Sequence, residues 1–332
     1  MPTVSFILPF FNAENTIHRA ISSIIAQTSS DWELILVDNG CTDSGYKIAQ
    51  SLAQSSRQIS LIIEDHPGVV HAFNTGLTHA QGTYIARMDA DDISHPTRLE
   101  KQLALMEQQP EIGVVSGQVR YQSDLPQRGM KNYVDWVNAL VVPEQIAINR
   151  FVELPMINPT LTFRRTCLEQ LGSYRSGDFP EDYELMLRWL GQGVGMAKVP
   201  DVVLDWYDYP QRLTRTDDRY TTDAFYRIKT HYLADWLQQH NPFYPKIVVW
   251  GAGRKSRQRA RLLEEKGIKI DAYIDVVRDK TQEHPCIFYQ DIAPPGQYFV
   301  VSYVGNRGQR EKIRDFLISR GYQEGVHFIL AA

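Results

Sequence analysis

Three aspartates fall within four residues in the run Arg87-Met88-Asp89-Ala90-Asp91-Asp92. Carboxylates at that spacing repel one another unless a cation compensates them. Their hard oxygens suit Mg²⁺ or Mn²⁺, ions that reach one or two protein carboxylates and complete their shell with phosphate and water. The plainer alternative is a solvated acidic turn leading into a helix that begins near Pro96, with Asp92 as its cap. Two other segments carry residues of related use. Pro9-Phe10-Phe11-Asn12 offers in Phe11 a ring able to stack on a flat base, with a core position as the alternative. Val37-Asp38-Asn39-Gly40-Cys41-Thr42-Asp43 offers in Asp38 an acceptor for a base N–H, with turn formation as the alternative.

All three segments need a scaffold that brings them together, and the hydrophobic pattern supplies one. Short apolar, β-branched runs at 3–8, 32–37, 59–63, 83–88 and 112–119 read as strands. Between them lie helical stretches at 13–27, 45–54, 69–80 and 96–109; in the first, Ile17, Ala20, Ile21, Ile24 and Ile25 share a face. Near-continuous apolar strands alternating with helices predict a buried, largely parallel sheet covered on both faces. Each candidate segment directly follows a strand, so all three are expected on one rim, where open α/β sheets bind ligands.

Farther along, residues 121–141 are polar and aromatic and read as a surface excursion. Strands are expected at 158–164 and 199–205 and a helix at 180–191. A long amphipathic helix at 221–240 ends before Asn241-Pro242. A second α/β series then starts, with strands at 246–250, 270–274 and 299–302 and helices at 256–266 and 308–321. These boundaries suggest a domain over 1–205, a helical linker over 206–245 and a small domain over 246–332.

Composition narrows the classes. At 332 residues, 43% hydrophobic and 22% charged, the chain is globular and about two domains long. No apolar stretch approaches the ~20 residues that span a bilayer. The opening Met1-Pro2-Thr3-Val4-Ser5-Phe6 reads as a core strand and not as a signal peptide. Cys41, Cys167 and Cys286 are scattered and odd in number, which suggests neither a disulfide framework nor a zinc site and fits a reducing cytosol. A net charge of −4 argues against nucleic-acid binding. It divides as 15 basic against 24 acidic residues over 1–205, a balance of −9, and 20 against 15 over 206–332, a balance of +5. Two separate tasks are the implication.

Residues 1 to about 205 resemble the family 2 glycosyltransferases, inverting sugar transferases of the GT-A fold. The match rests on Ser5-Phe6-Ile7-Leu8-Pro9-Phe10-Phe11-Asn12, the Val37–Asp43 turn, Asn74-Thr75-Gly76-Leu77, Gly82 through Asp92, and Glu181-Asp182-Tyr183-Glu184-Leu185. The resemblance implies that Pro9, Phe11 and Asp38 border the nucleobase and ribose. It places Asp89 and Asp91 in the Asp-x-Asp motif, Asp91 being the direct ligand of a Mn²⁺ or Mg²⁺ ion on the diphosphate, and makes Asp182 the general base. An inverting transfer needs that division of labour: one carboxylate takes the acceptor proton while charge is stabilised on the departing side. Charge placed at a helix N-terminus is the plainer reading of Glu181-Asp182.

The sequence also departs from the family. Asn39 and Cys41 replace an Asp and a Ser of the usual turn, and Phe73 stands where many relatives carry an Arg near the phosphates. Diphosphate contacts then fall to Arg87, Arg212 or Arg215, each equally readable as a surface charge. Asn158 stands where a His is frequent. Leu185 replaces the Gln of the processive Gln-x-x-Arg-Trp motif, although Arg188-Trp189 survives, which favours addition of a single sugar.

The expected partners are a nucleotide-sugar donor, UDP-linked by resemblance, and a carbohydrate or lipid-linked glycan acceptor in surface polysaccharide or glycoconjugate synthesis. Phe225, Ile228, Tyr232 and Trp236 form a stripe expected to pack between domains, with peripheral membrane contact as the alternative. In the small domain, Gly251, Gly253 and Ser256 form a strand–turn–helix start that lets backbone N–H groups approach a phosphate, and Asp275 follows the next strand where a ribose-binding acid sits in dinucleotide folds. That unit resembles small Rossmann-like domains that bind nucleotide sugars, though Ser256 replaces the third Gly. A tight turn without ligand is its alternative. For the whole chain, the competing readings are a non-catalytic nucleotide-sugar-binding regulator and, against the missing Gly-rich basic loop, a sugar nucleotidyltransferase.

Overall fold

The apolar runs of the first part of the chain become four neighbouring parallel strands, because βαβ crossovers place helices over both faces and bury the central strands. A computed structural model describes residues 1–125, 127–210, 212–278 and 284–332. They group into two units, Met1–Ile146 with Pro155–Asp217, and Ala147–Leu154 with Asp218–Ala332.

The first unit is built on an eight-stranded sheet. Its strands are β1 (Val4–Phe10), β2 (Trp32–Asp38), β3 (Ile59–Ile63), β4 (Tyr84–Arg87), β5 (Ile93–Ser94), β6 (Ile112–Gln122), β7 (Thr162–Arg164) and β8 (Gly195–Tyr207). The order is β3-β2-β1-β4-β7-β6-β8-β5. Pairs among β1 to β4 are parallel, as is β6 with β8, while β7 runs antiparallel to both its neighbours and β5 antiparallel to β8. The sheet is therefore mixed and mostly parallel. The register Phe10↔Asp38 aligns the carboxyl ends of β1 and β2, and β4 ends beside them at Arg87.

Several elements differ from the sequence reading. Within 121–141, of which Pro126 lies outside the described residues, β6 extends to Gln122 and Arg128–Ala139 forms a helix. Val134 and Val137 of that helix are buried in the core with Val119 of β6, so the segment is structural where a surface excursion was expected. Only Thr162–Arg164 of the expected 158–164 strand is extended; Asn158–Thr160 makes a 3₁₀ turn. The strand expected at 199–205 runs for 13 residues, long enough to pair with β6 along one side and β5 near its end.

The second unit carries β9 (Ile247–Trp250), β10 (Ala272–Asp275), β11 (Cys286–Phe288), β12 (Phe299–Ser302) and β13 (Phe328–Leu330) in the order β11-β10-β9-β12-β13, all pairs parallel. It is a small Rossmann-like sheet. The Thr222–His240 helix belongs to this unit. Its buried face consists of Ala224, Lys229, Thr230, Leu233, Ala234, Trp236 and Leu237, so of the expected aromatic stripe only Trp236 is buried. That indole packs on Phe151 and Phe299 with ring centroids 5.9 and 5.8 Å apart. Among the described residues no helix is long and apolar enough to cross a membrane.

Candidate active site

The acidic run leaves the end of β4 and turns into β5. Carboxylate oxygens of Asp89, Asp91 and Asp92 all lie within 4.8 Å of one another. Asp92 is fully buried. Its Oδ1 accepts the Tyr207 N–H at 2.9 Å, while its Oδ2 is buried with no hydrogen-bond partner among the described residues. The Asp91 backbone carbonyl accepts Arg19 Nη2 at 2.7 Å. Asp89 accepts a hydrogen bond from Arg87 Nε at 3.1 Å, and its Oδ1 forms an ion pair with Nη2, also at 3.1 Å. Burial, and then the charge of Asp91, pushes the Asp92 carboxyl well above the usual carboxylate range. Burial also raises Asp91, with Arg212 opposing it. An orphaned buried oxygen inside a set of three hard donors fits a divalent cation, because the alternative is a proton held against the ordinary acidity of the group.

Three arginines frame this loop and one does not. Arg87, 3% exposed, lies under the rings of Phe73 and Tyr174, 5.4 and 5.2 Å from their centroids. Burial alone would weaken its hold on its proton, but Asp89, Glu181 and Asp182 more than offset this, so it stays charged. Phe73 is thus the platform for Arg87. Arg212 rests on the Trp206 ring at 4.3 Å, donates to the Tyr207 carbonyl at 3.0 Å, and is held protonated against burial by Asp91, Asp92 and Asp89. Arg215 is instead committed to Asp208, at 2.6 Å. Arg19 was not singled out from the sequence; its guanidinium lies 4.0 Å over Tyr207 and bonds the Tyr209 hydroxyl as well as Asp91. Behind the loop, fully buried Arg98 donates to the Arg87 carbonyl at 2.9 Å, and burial lowers its pKa to about 9.

Asp182, whose charge also acts on Arg87, stands in the first turn of the Glu181–Gly191 helix. Burial first, and then the charge of Glu181, pushes its pKa up to about 7 against the pull of Arg87 and of the Tyr183 N–H. A carboxylate poised there can accept a proton near neutrality. Tyr174 lies close by, and its hydroxyl donates to Asn158 Oδ1 at 2.6 Å, which gives Asn158 a positioning part here. Arg188 and Trp189 are structural. Arg188 pairs with Glu184 at 2.9 Å and donates to the Gly172 and Ser173 carbonyls, while the Trp189 ring packs on Phe163 at 5.5 Å.

At the carboxyl ends of β1 and β2 the side chains divide by exposure. Pro9 is buried within β1, whereas the Phe11 ring is 61% exposed on the rim. Asp38 is buried and accepts the Cys41 N–H at 3.3 Å. Burial, then Asp38, raises the Cys41 thiol to about 12, so it is an inert packing group. Asn39 spends its amide on the Glu64 and His66 carbonyls and the Gly68 N–H, tying the turn to the loop after β3. An aspartate could not make the two donations.

The second set of expected residues lies apart from these, in the second unit. Gly251 has φ +109°, and a Cβ there would meet Ser256 Oγ at 2.7 Å and Val304 at 3.0 Å. Ser256 Oγ donates to the Tyr303 carbonyl at 3.3 Å. Asp275 accepts the Ala252 and Val277 N–H groups at 2.8 and 3.1 Å. Gly253 is the N-cap of the Arg254–Glu265 helix. Gly251 and Asp275 line a cavity at the strand ends, and Gly253 and Ser256 do not.

Comparison with known proteins places this geometry. The profile of Glycosyl transferase family 2 matches residues 5–172. The chain is 34% identical to EpsE of Bacillus subtilis, named as a glycosyltransferase, over 58% of this chain and 68% of that one. It is 39% identical to WfgD of Escherichia coli, named as a UDP-Glc:alpha-D-GlcNAc-diphosphoundecaprenol beta-1,3-glucosyltransferase, over 31% of this chain and 40% of that one. Among solved structures, residues 1–349 of TarS of S. aureus, in complex with UDP-GlcNAc, superpose with a TM-score of 0.57 at 16% identity, covering 80% of this chain and 71% of that one. That likeness shows the fold.

Proposed function

The chain belongs to glycosyl transferase family 2 and is a glycosyltransferase, and from that premise we propose that it moves a single sugar from a nucleoside-diphosphate sugar to an acceptor hydroxyl, with inversion and with a divalent metal. The observation that carries the reading is the presence of two carboxylate environments that both interact with the charge of Arg87. One is the trio with an orphaned oxygen, and the other is Asp182, with its pKa raised to about 7.

Asp91, with Asp89 and Asp92 beside it, would hold Mn²⁺ or Mg²⁺, and a divalent ion there supplies the charge that stabilises a departing diphosphate. Arg212, already drawn to the trio, adds a fixed cation for the same oxygens. Asp182 takes the proton of the acceptor hydroxyl. The acceptor oxygen then bonds to the anomeric carbon from the face opposite the diphosphate, and the bond to the diphosphate oxygen breaks with its electron pair. Arg87 fixes Asp89 through a hydrogen bond and an ion pair, and its charge acts on Asp182 as well. The exposed Phe11 ring stacks on the base, the Pro9 backbone forms the strand floor beside it, and Asp38 reads a base N–H. A UDP donor and a lipid-linked glycan acceptor are the classes named for WfgD and are the ones we assign here, in surface polysaccharide or glycoconjugate synthesis. Three unpaired cysteines suit a cytoplasmic site of action.

The test is incubation of the protein with UDP-sugars, Mn²⁺ and candidate glycan acceptors, following nucleoside diphosphate release and the anomeric proton coupling of the product. The reading expects metal-dependent release with an inverted anomeric centre. A product that retains the donor configuration, or release indifferent to EDTA, contradicts it.

A further inference from the structure

The Asp218–Ala332 part of the second unit lies beyond the residues that the family profile matches, and it presents a cavity of its own. In its sheet the chain moves outward from β9 through β10 to β11, then crosses back to β12 on the opposite side. Ligands of open α/β sheets bind beyond the carboxyl ends of the strands at such a reversal. There a cavity of about 420 Å³ opens, lined by Trp250 at the end of β9, Asp275 at the end of β10, Tyr289 after β11, and Gln309, Lys312 and Phe316 of the Gln309–Ser319 helix. Its size is within the range of about 300–1,000 Å³ usual for small-molecule sites.

The lining has two chemistries. Trp250 and Tyr289 both pack on Phe316, at 5.6 and 5.3 Å between ring centroids, giving an aromatic wall suited to a flat ring. Lys312 is exposed at the mouth and is in no ion pair among the described residues; Gln309, one turn earlier, is exposed beside it. Asp275, the one acid in the lining, has its oxygens on the Ala252 and Val277 N–H groups, so it orders the floor.

We propose that this cavity is a second ligand site, taking a nucleoside phosphate without a metal. Its base lies against Trp250, Tyr289 and Phe316, and its phosphate meets Lys312 and Gln309. The phosphate end is therefore at the Gln309–Ser319 helix and not at the Gly251–Ser256 turn, where Ser256 Oγ already occupies the space beside Gly251. Asp275 acts by shaping the loop, not by binding ribose.

Calorimetric titration of the full chain in EDTA with UMP, CMP, AMP and GMP tests this, because chelation silences the metal-dependent site of the first unit. One saturable site per chain is expected for at least one nucleotide. Lys312→Glu and Gln309→Trp, both at exposed positions, should each weaken it at least tenfold, while Asp91→Ala leaves it unchanged. Metal-dependent turnover, read separately, should be unaffected by both second-unit substitutions. Three outcomes overturn the proposal: none of the four nucleotides binds in EDTA, binding survives both second-unit substitutions, or binding is lost in Asp91→Ala.

Discussion

Replacing Asp182 by Asn should slow turnover sharply and yet make the first unit more stable at alkaline pH. The folded-state pKa of Asp182 is raised from 3.8 to about 7 by burial and by Glu181. Between those two values the folded state holds a proton that the unfolded chain has released. Stability contributed by the group is present below about pH 4 and is lost as pH rises to about 7. At about 1.36 kcal/mol per pH unit, keeping Asp182 ionised in place costs on the order of 4 kcal/mol above pH 7. Asn removes that cost, so the first unit should melt several degrees higher at pH 8 and almost unchanged at pH 4. Removing the base should lower kcat by about 10²–10⁴-fold. In the unsubstituted enzyme, kcat/KM should fall about tenfold per pH unit below 7, since the protonated carboxyl cannot accept the acceptor proton. Glu181→Gln, which removes the second cause of the shift, should move that break to lower pH. Thermal melts across pH 4–9 and a pH–rate profile give both readouts. An acid limb that breaks near pH 4, or an Asp182→Asn protein that melts earlier at pH 8, refutes the reasoning.

Other consequences follow from neighbouring groups. Arg212→Ala should lower kcat/KM for the donor by about 10–100-fold, as expected for loss of a charge-assisted contact, whereas Arg215→Ala, whose guanidinium is committed to Asp208, should change it less than about threefold; steady-state kinetics with the donor varied separates them. Gly82→Ala should destabilise the first unit by at least about 2 kcal/mol, because the new Cβ would lie 2.6 Å from the Ser5 nitrogen and 2.7 Å from the Val4 carbonyl carbon; urea denaturation reads this directly. Buried Lys198, with its pKa lowered to about 7 by burial and donating to the Val137 carbonyl, holds fewer protons than the unfolded chain between pH 7 and 10.5. Lys198→Met should therefore stabilise the fold at pH 7, and by less as pH approaches 10.

What could be read from the sequence followed the length and continuity of each apolar run. β1, β2 and β4 are almost wholly buried, so their runs are unbroken, whereas the edge strand β3 leaves Ser60 and Ile63 exposed; the segments that follow β1, β2 and β4 fell on one rim as expected. β5, β7, β11 and β13 have two or three residues each, too few for a period to emerge; they form because a longer neighbour offers an edge. In the Arg128–Ala139 helix, Met130, Tyr133, Val134 and Val137 do have helical spacing, but the polar residues between them hid it. Proximity across the chain was beyond reach as well. Arg19 meets Asp91 and Tyr209 only because the Ile17–Ile25 helix passes beside the acidic loop. Phe73 looked like a lost charge, and only the fold shows Arg87 lying against its ring.

The central claim is a nucleotide site that depends on a metal held by the acidic loop. Calorimetric titration of UDP, GDP, CDP and dTDP, each with and without Mn²⁺, into protein carrying Lys312→Glu and Gln309→Trp to disable the second-unit site, with and without Asp91→Ala, tests it most directly. The account predicts that UDP binds with Mn²⁺, at least about tenfold more weakly in EDTA, and not measurably in Asp91→Ala. Nucleoside diphosphate binding that ignores Mn²⁺ and survives Asp91→Ala would contradict it.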